Sequence, residues 1–208
     1  MKNGGLILVG AGGHARSCID VISCTGAFAI SGLIGSPEEV GLTVDGYQVI
    51  GTDADLEKLA QLHRYALITV GQIKSPNIRI GLYQKLVAYG FTFPVIVSSR
   101  SHVSSYALVH GGTIVMHDAL VNAGAVVGEN CIVNTKVLIE HDAKIGSHCH
   151  LSTGVIINGG VSVGESSFIG SGSVIKEGVS IGKNCLIGMS QIVRHNLKDG
   201  TIFTGTDL

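Results

Sequence analysis

An aliphatic residue recurs at every sixth position through the second half of this sequence. The series begins at Val97 and ends at Val193, and all seventeen positions carry Val, Ile or Leu. A repeat of six residues is typical of a parallel β-helix, in which each hexad forms one short strand and one turn. Three hexads close a triangular coil of about 18 residues, and the large aliphatic side chain of each points into the coil.

Two other positions of the hexad carry restricted residue types. The residue two places before the aliphatic is usually small, as at Ala119, Ala125 and Cys131. The residue after the aliphatic is often Gly or Asn, and because both tolerate a positive φ we expect this position to form the tight corner of the coil. Cys131, Cys149 and Cys185 share the small position, so we predict that they are buried core thiols without a redox role.

Residues 1–95 follow a different pattern, which predicts a small Rossmann-like α/β domain ahead of a β-helix over residues 96–208. Predicted strands at 6–9, 29–34 and 65–70 alternate with predicted helices at 16–24, 54–62 and 77–90. Strands that alternate with helices form a parallel sheet, and ligands bind beyond the carboxyl ends of such strands. The expected crevice therefore lies at 10–14 and 71–73.

The composition excludes several classes of function. Fourteen basic and fifteen acidic side chains give a net charge of −1, so no basic surface is available for nucleic acid. The apolar runs are much shorter than the ~20 residues of a membrane-spanning helix. The N-terminus carries no recognisable secretory signal, and we expect a cytoplasmic protein without membrane insertion.

A glycine-rich turn follows the first predicted strand. Gly10, Gly12 and Ala15 have the spacing of a turn that lets a helix N-terminus approach phosphate groups. A dinucleotide site also needs an acidic residue roughly 20 positions further on, yet none occurs after the second strand before Glu38. A bound nucleotide or phosphate is therefore favoured over NAD-dependent redox chemistry, and a purely structural turn stays open.

A histidine between two carboxylates stands out in the repeat region. His141 follows Glu140, precedes Asp142, and lies two residues past an inward-pointing aliphatic, so its side chain faces outward. An adjacent carboxylate orients an imidazole and raises its basicity, which makes His141 a candidate general base. The alternative is a solvated surface histidine.

The remaining histidines of the repeat region do not form a metal-binding pattern. Residues that stack in neighbouring coils are 18 positions apart, and no two histidines have this spacing. His148 and His150 are close in one coil but have no Cys or carboxylate 18 positions away. We therefore predict no metal site, which also counts against a zinc-dependent β-helix enzyme of the carbonic anhydrase type.

The whole chain resembles one family of hexapeptide-repeat acyltransferases: the NeuD-type sialic acid O-acetyltransferases and the PglD-type N-acetyltransferases of nucleotide-linked amino sugars. The resemblance is carried by residues 8–15, by Asn134-Thr135, by residues 139–142 and by the hexad array. It implies a left-handed coil, acetyl-CoA as the acetyl donor, and a homotrimer with active sites between neighbouring prisms.

The resemblance also implies roles for individual residues. His141 would deprotonate the attacking amine or hydroxyl, with Asp142 as its orienting partner. His150 would stabilise the oxyanion near the acetyl carbonyl, and the missing side chain of Gly159 would leave room for the pantetheine arm. Gly170 and Ser171 are further expected contacts of acetyl-CoA. The expected acceptor or nucleotide-sugar pocket comprises Gly10, Gly12, Gly13, His14 and Gly71.

The sequence departs from the family at two places. Members that bind a uridine nucleotide commonly carry acidic residues after the second strand, where this chain has Gly35-Ser36, so the nucleotide stays open. The family's Gly-x-Pro-Ala-Lys stretch near the coenzyme is replaced by residues 203–208, so the adenosine end of the coenzyme is expected to bind differently or more loosely.

The function expected from these features is acetylation of an amino group on a nucleotide-linked sugar during synthesis of bacterial surface glycans. O-acetylation of sialic acid or a related nonulosonic acid is the first alternative, and a non-catalytic sugar-nucleotide-binding β-helix is the second. A trimer is also expected from apolar side chains on the prism, because exposed apolar patches mark interfaces. These side chains are Val126, Ile156, Phe168 and Leu186.

Overall fold

The computed structural model describes residues 3–205, which form an α/β domain followed by a long prism. A five-stranded sheet with the order β3-β4-β2-β1-β5 forms the first part, and all its neighbours are parallel except β3 and β4. Its strands are β1 (Asn3–Val9), β2 (Ile30–Ile34), β3 (Thr43–Val44), β4 (Tyr47–Gly51) and β5 (His63–Ile68). Its helices are α1 (Gly13–Thr25), α2 (Leu56–Leu62) and α3 (Asn77–Ala88), with short 3-10 helices at Pro37–Glu39 and Asp53–Asp55. None of these helices has the length and apolar character needed to cross a membrane.

The α/β class expected from the sequence is confirmed, but the hairpin β3-β4 was not predicted. Its two strands are joined by Asp45 and Gly46, which both have a positive φ, as the two-residue turns of hairpins require. An Asp-Gly pair between short apolar segments is a known signal for such a turn, so the sequence carried this information. The hairpin adds β4 beside β2 and extends the sheet that holds the expected crevice.

The second part is a left-handed parallel β-helix, as expected from the hexads. Its two-residue strands stack into three flat sheets, here called faces 1, 2 and 3 in chain order. Face 1 holds β6 (Ile96–Val97), β9 (Ile114–Val115), β12 (Ile132–Val133), β15 (His150–Leu151), β18 (Phe168–Ile169), β21 (Leu186–Ile187) and β23 (Ile202–Phe203). Face 2 holds β7 (His102–Val103), β10 (Leu120–Val121), β13 (Leu138–Ile139), β16 (Ile156–Ile157), β19 (Val174–Ile175) and β22 (Ile192–Val193). Face 3 holds β8 (Leu108–Val109), β11 (Val126–Val127), β14 (Lys144–Ile145), β17 (Ser162–Val163) and β20 (Ser180–Ile181).

The core of the prism is the column of aliphatic residues that the hexads predicted. The second residue of each strand from Val115 to Val193 is buried in one continuous cluster. Cys131, Cys149 and Cys185 lie in the same cluster and are buried, as expected for core thiols. The three turns of a coil form edges, named here by the faces they join: edge 1/2, edge 2/3 and edge 3/1.

The predicted position of the tight corner was wrong. The residue with positive φ lies three places after the aliphatic, at every sixth position from Gly112 to Ser190. The glycines directly after the aliphatic serve a different purpose, because there the backbones of successive coils approach closely. A Cβ added at Gly146, for example, would lie 2.5 Å from the backbone N of Glu165. These glycines are therefore required by stacking of the coils rather than by φ.

The α/β domain packs against face 1. Cys18 and Ile22 of α1 share a buried cluster with Ile96, Ile114 and Ile132, whose side chains project outward from face 1. In a triangular prism, edge 2/3 lies opposite face 1. The α/β domain and edge 2/3 are therefore on opposite sides of the same chain.

A buried arginine joins the two parts. Arg79 of α3 is 1% exposed and donates to the carbonyls of Ile68 and Val70, at 2.9 and 2.6 Å, and to the carbonyl and side-chain oxygens of Asn130, at 3.1 and 2.7 Å. The side-chain amide of Asn130 is in turn 3.0 Å from Nδ1 of His148. Burial lowers the pKa of Arg79 to about 10, so the guanidinium stays protonated at neutral pH. These bonds fix the end of β5 against edge 3/1.

The stacking role of the glycines can be tested with a matched pair of variants. Gly146→Ala should lower the free energy of unfolding by about 1–3 kcal/mol, because its Cβ meets the backbone of the next coil. Gly154→Asn should have little effect, since Gly154 has a positive φ that Asn tolerates and no atom lies within 4 Å of an added Cβ. Chemical denaturation measures both, and equal midpoints for the two variants would contradict the stacking role.

Candidate functional site

His141 and Asp142 form a hydrogen-bonded pair on edge 2/3. Nδ1 of His141 donates to the Asp142 carboxylate at 3.0 Å, which leaves Nε2 with a free lone pair. Both side chains are well exposed, at 64% and 73%. The pKa of His141 is raised above its ordinary value, chiefly by the hydrogen bond to Asp142 and further by the charges of Asp142 and Glu140. This arrangement gives a basic nitrogen that is open to a ligand.

Glycines in the neighbouring coils make room for this pair. Asp142 has a φ of 61°, and a Cβ added at Gly124 would lie 2.5 Å from its Oδ1. A Cβ added at Gly159 would lie 2.7 Å from Nε2 of His141 and 2.8 Å from Cε1. The space left by Gly159 is therefore taken by the imidazole, which does not favour the expected role in accommodating the pantetheine arm.

An asparagine that the sequence analysis did not single out supports the same cluster. The amide of Asn122 donates to Oε2 of Glu140 at 2.9 Å, and the backbone N–H of His141 points to the same oxygen at 3.3 Å. Asn122 precedes Glu140 by 18 residues, the length of one coil. The 18-residue spacing was therefore the signal that could have identified both Asn122 and Gly124, which has the same relation to Asp142.

A cleft of about 610 Å³ lies at the carboxyl ends of the strands in the α/β domain. Its lining includes every residue expected to bind the acceptor: Gly10, Gly12, Gly13, His14 and Gly71. Helix α1 begins here without a side-chain cap and without an acidic residue in its first turn. An added Cβ at Gly12 or Gly13 would meet nothing within 4 Å, so the first backbone N–H groups of the helix are accessible to an anion.

Two acidic residues of this cleft were not predicted. Glu39 and Asp53 line it beside the end of β2, and the described lining contains no Lys or Arg. One Glu39 oxygen accepts the backbone N–H of Ser36 at 2.7 Å and so caps the short 3-10 helix. The cleft thus offers backbone donors at one side and carboxylates at the other, an arrangement suited to a ligand with both phosphate groups and hydrogen-bond donors.

His14 lines the cleft as an uncharged imidazole. Burial, followed by the charges of Arg79 and His150, lowers the pKa of His14 to about 3. Its buried Nε2 has no hydrogen-bond partner within residues 3–205. A buried ring nitrogen without a partner is costly, and a ligand in the cleft would supply one.

His150 is buried on face 1 and both its ring nitrogens are engaged. Nδ1 donates to the carbonyl of Gln72 at 2.5 Å, and Nε2 lies 3.3 Å from the side-chain amide of Asn134. Burial lowers the pKa of His150 to about 4, so the ring is neutral and Nε2 acts as an acceptor. No ring N–H is left to donate to an oxyanion, so the geometry does not favour the expected role of His150.

Gly170 and Ser171 lie on edge 1/2, away from His141. A Cβ at Gly170 would meet the backbone of Gly188 in the next coil, so stacking alone accounts for this glycine. Ser171 Oγ is 2.8 Å from the hydroxyl of Ser152. The predicted coenzyme residues are therefore divided: Gly159 lies beside His141 on edge 2/3, while His150, Gly170 and Ser171 lie on face 1 or edge 1/2.

Comparison with known families identifies two parts of the chain. Residues 5–86 match the family described as PglD N-terminal domain. Residues 160–190 match the bacterial transferase hexapeptide family, which comprises six repeats. A comparison with curated protein sequences returned no match.

Several solved structures are similar over nearly the whole chain. PerB from Caulobacter crescentus, in complex with CoA and GDP-perosamine, is 29% identical with a TM-score of 0.87, and the match covers 94% of this chain and 91% of that one. A histidine-to-asparagine mutant of perosamine N-acetyltransferase from the same organism, with the same ligands, is 28% identical with a TM-score of 0.88 and the same coverage. The acetyltransferase domain of PglB from Neisseria gonorrhoeae, in complex with acetyl coenzyme A, is 28% identical with a TM-score of 0.87, covering 95% of this chain and 94% of that one.

The basicity of His141 should depend on Asp142. Asp142→Asn is expected to lower the pKa of His141, because the hydrogen bond to the carboxylate is the largest cause of the raised value. Asp118→Asn is the control, since Asp118 has the same backbone conformation but pairs with Arg100 instead. NMR titration of the imidazole measures both, and an unchanged midpoint in Asp142→Asn would remove Asp142 as the partner.

Proposed function

The chain belongs to the hexapeptide-repeat acyltransferase family, and we propose that it transfers the acetyl group of acetyl-CoA to an amino group of a nucleotide-linked sugar. The observation that carries the proposal is the His141–Asp142 pair, which presents a basic Nε2 on the outer edge of a β-helix coil. Structures similar to this chain contain CoA with GDP-perosamine, or acetyl coenzyme A. We further propose that the product enters synthesis of a bacterial surface glycan.

In the proposed reaction His141 acts as the general base. The amine nitrogen forms a bond to the acetyl carbonyl carbon, and Nε2 of His141 takes the proton that the nitrogen loses. The bond between that carbon and the CoA sulfur then breaks, and the thiolate leaves and takes up a proton. Asp142 holds the ring so that Nε2 faces the acceptor, and its carboxylate stabilises the imidazolium that forms.

The oxyanion that forms on the carbonyl needs a hydrogen-bond donor other than His150. We assign this role to the backbone N–H of Gly159, which donates to no acceptor within residues 3–205 and lies beside the imidazole of His141. Backbone donors held rigidly at such a position stabilise the transition state without a charged side chain.

The surroundings of Gly159 fit a coenzyme that carries phosphate groups. A shallow cleft of about 350 Å³ next to this glycine is lined by Asn158, Lys176 and Arg194 among others. These three residues occupy the same hexad position in successive coils, 18 residues apart. The two cations therefore lie along the prism from His141, where they would pair with the phosphates of acetyl-CoA.

The acceptor is proposed to bind in the cleft of the α/β domain. The backbone N–H groups at Gly12 and Gly13 would bind the phosphates at the start of α1. His14 would provide its unpartnered Nε2 to the sugar, and Glu39 and Asp53 would accept hydrogen bonds from the ribose or base. An acceptor without phosphate groups, such as free sialic acid, would leave the start of α1 unused.

This arrangement requires more than one copy of the chain. The cleft lies on the side of face 1, whereas His141 lies on the opposite edge 2/3. We propose a homotrimer in which the cleft of one copy meets His141 of the next, because a closed ring repeats the same contact at each interface. Exposed apolar side chains at Leu108 and Ile192, which are 53% and 56% exposed, support an interface on faces 2 and 3. Val126 and Ile156 also lie on these faces, but Phe168 and Leu186 lie on face 1 beside the α/β domain.

The catalytic proposal is tested by measuring release of CoA with a panel of acceptors. The panel holds nucleotide-linked 3-amino and 4-amino sugars, sialic and related nonulosonic acids, and simple amines. Wild type should turn over an amino sugar, and His141→Ala should reduce kcat by about 10²- to 10⁴-fold, as expected for loss of a general base. Turnover on a nonulosonic acid alone would replace the proposal by O-acetylation, and coenzyme binding without any turnover would favour a binding protein.

Gly159→Ala gives a matched test of the same base. The added Cβ displaces the imidazole, so kcat should fall although His141 is present. In the background of His141→Ala the same change should cause no comparable further loss if it acts through the ring. Losses that multiply in the double variant would instead assign Gly159 an independent role, such as the oxyanion donor.

The shared site is tested by mixing two inactive variants. Gly12→Asp keeps a good helix cap but puts a carboxylate where phosphates would bind, and Gly12→Ser is its neutral control. Co-expression of Gly12→Asp with His141→Ala should restore about one quarter of wild-type activity, since random assembly pairs an intact cleft with an intact His141 at that frequency. No recovery in mixed oligomers, or a monomeric mass by light scattering, would overturn the trimer.

A further inference from the structure

A second cluster of reactive side chains lies where α1 meets edge 1/2. Asp20 and Cys24 are four residues apart on α1, so their side chains share one face of the helix. His117 faces them from the turn between β9 and β10, with Nε2 2.8 Å from Oδ2 of Asp20. One sulfur, one nitrogen and one oxygen atom of these residues all lie within 4.8 Å of one another.

The ring of His117 is held in place from its other side. Its Nδ1 is 2.6 Å from Oγ of Ser98, which is 2% exposed and also accepts the backbone N–H of Arg100 at 3.1 Å. The side chain of His117 is 13% exposed, against 70% for Asp20. Metal-binding histidines commonly have such a partner on the second ring nitrogen, because it fixes the orientation of the coordinating one.

Cys24 distinguishes this cluster from an ordinary ion pair. A hydrogen bond between His117 and Asp20 needs no third group, yet the thiol of Cys24 completes a set of three different donor atoms. Within residues 3–205, Cys24 is also the one exposed cysteine, while the other four are buried in the cores. A thiolate, an imidazole and a carboxylate together are ligands that Zn²⁺ accepts, with water in the fourth position.

We propose that Asp20, Cys24 and His117 bind a divalent transition-metal ion such as Zn²⁺. On binding, Cys24 loses its thiol proton to solvent and coordinates as the thiolate. The proton of the neutral imidazole moves from Nε2 to Nδ1, where it is donated to Ser98, and Nε2 coordinates the ion. The carboxylate of Asp20 exchanges its hydrogen bond for the third protein ligand.

The site would connect the two parts of the chain on the side away from Arg79. Helix α1 supplies two ligands, and its first turn lines the acceptor cleft. The ion would thus hold α1 against edge 1/2, as Arg79 holds the end of β5 against edge 3/1. It takes no part in the transfer reaction, so its presence and that of the activity are independent.

Metal binding is tested on the full-length protein after treatment with a chelator. Titration with Zn²⁺ should show one site per chain, and Co²⁺ should give the thiolate-to-metal absorption of a coordinated cysteine. Cys24→Ser should abolish this absorption and weaken Zn²⁺ binding by about 100-fold or more, since loss of even an outer partner costs 10- to 100-fold. Zn²⁺ should also raise the melting temperature of wild type but not of Cys24→Ser.

A control variant separates this site from unspecific binding. His102→Ala removes another exposed histidine of the prism and should leave both the stoichiometry and the absorption unchanged. Binding that Cys24→Ser does not weaken, Co²⁺ without the thiolate absorption, or no saturable binding at micromolar ion would each overturn the proposal. No acceptor sugar is needed for these measurements, so failure of the proposed transfer reaction would not affect them.

Discussion

The stacking of successive coils in strict register is the constraint on which the rest of the structure depends. Each strand of the prism bonds to the strand 18 residues further on, as His150 does with Phe168 and Leu138 with Ile156. Because the register does not slip, a residue always contacts the same hexad position in the next coil. The pair His141–Asp142 exists in its observed form since Gly159 and Gly124 are the residues that this register brings beside it.

The docking of the α/β domain is the second decisive feature. Its position on face 1 is set by apolar packing with α1 and by the buried guanidinium of Arg79, which bonds to four uncharged oxygens. A buried charge of this kind is tolerated because every one of these oxygens is a strong acceptor. The same docking puts the glycine-lined cleft and His141 on opposite sides of one chain, which is why the proposed reaction needs a neighbouring copy.

Three histidines show how the environment assigns different properties to one residue type. His14 and His150 are buried, and their pKa values fall to about 3 and about 4, so both stay neutral. His141 is exposed beside a carboxylate, and its pKa is raised. Of these three, only His141 combines an accessible nitrogen with a basicity suited to proton transfer near neutral pH.

The sequence by itself determined the features that repeat or that depend on neighbours along the chain. The hexads identified the core column and its three thiols, and the glycine turn identified the cleft, because both follow from local spacing. The tertiary structure alone decided which groups meet across coils and across domains. The engagement of His150 by Gln72 and the meeting of His117 with Asp20 join residues 78 and 97 positions apart. Such contacts arise from how the domain docks on face 1, and no spacing within either part encodes them.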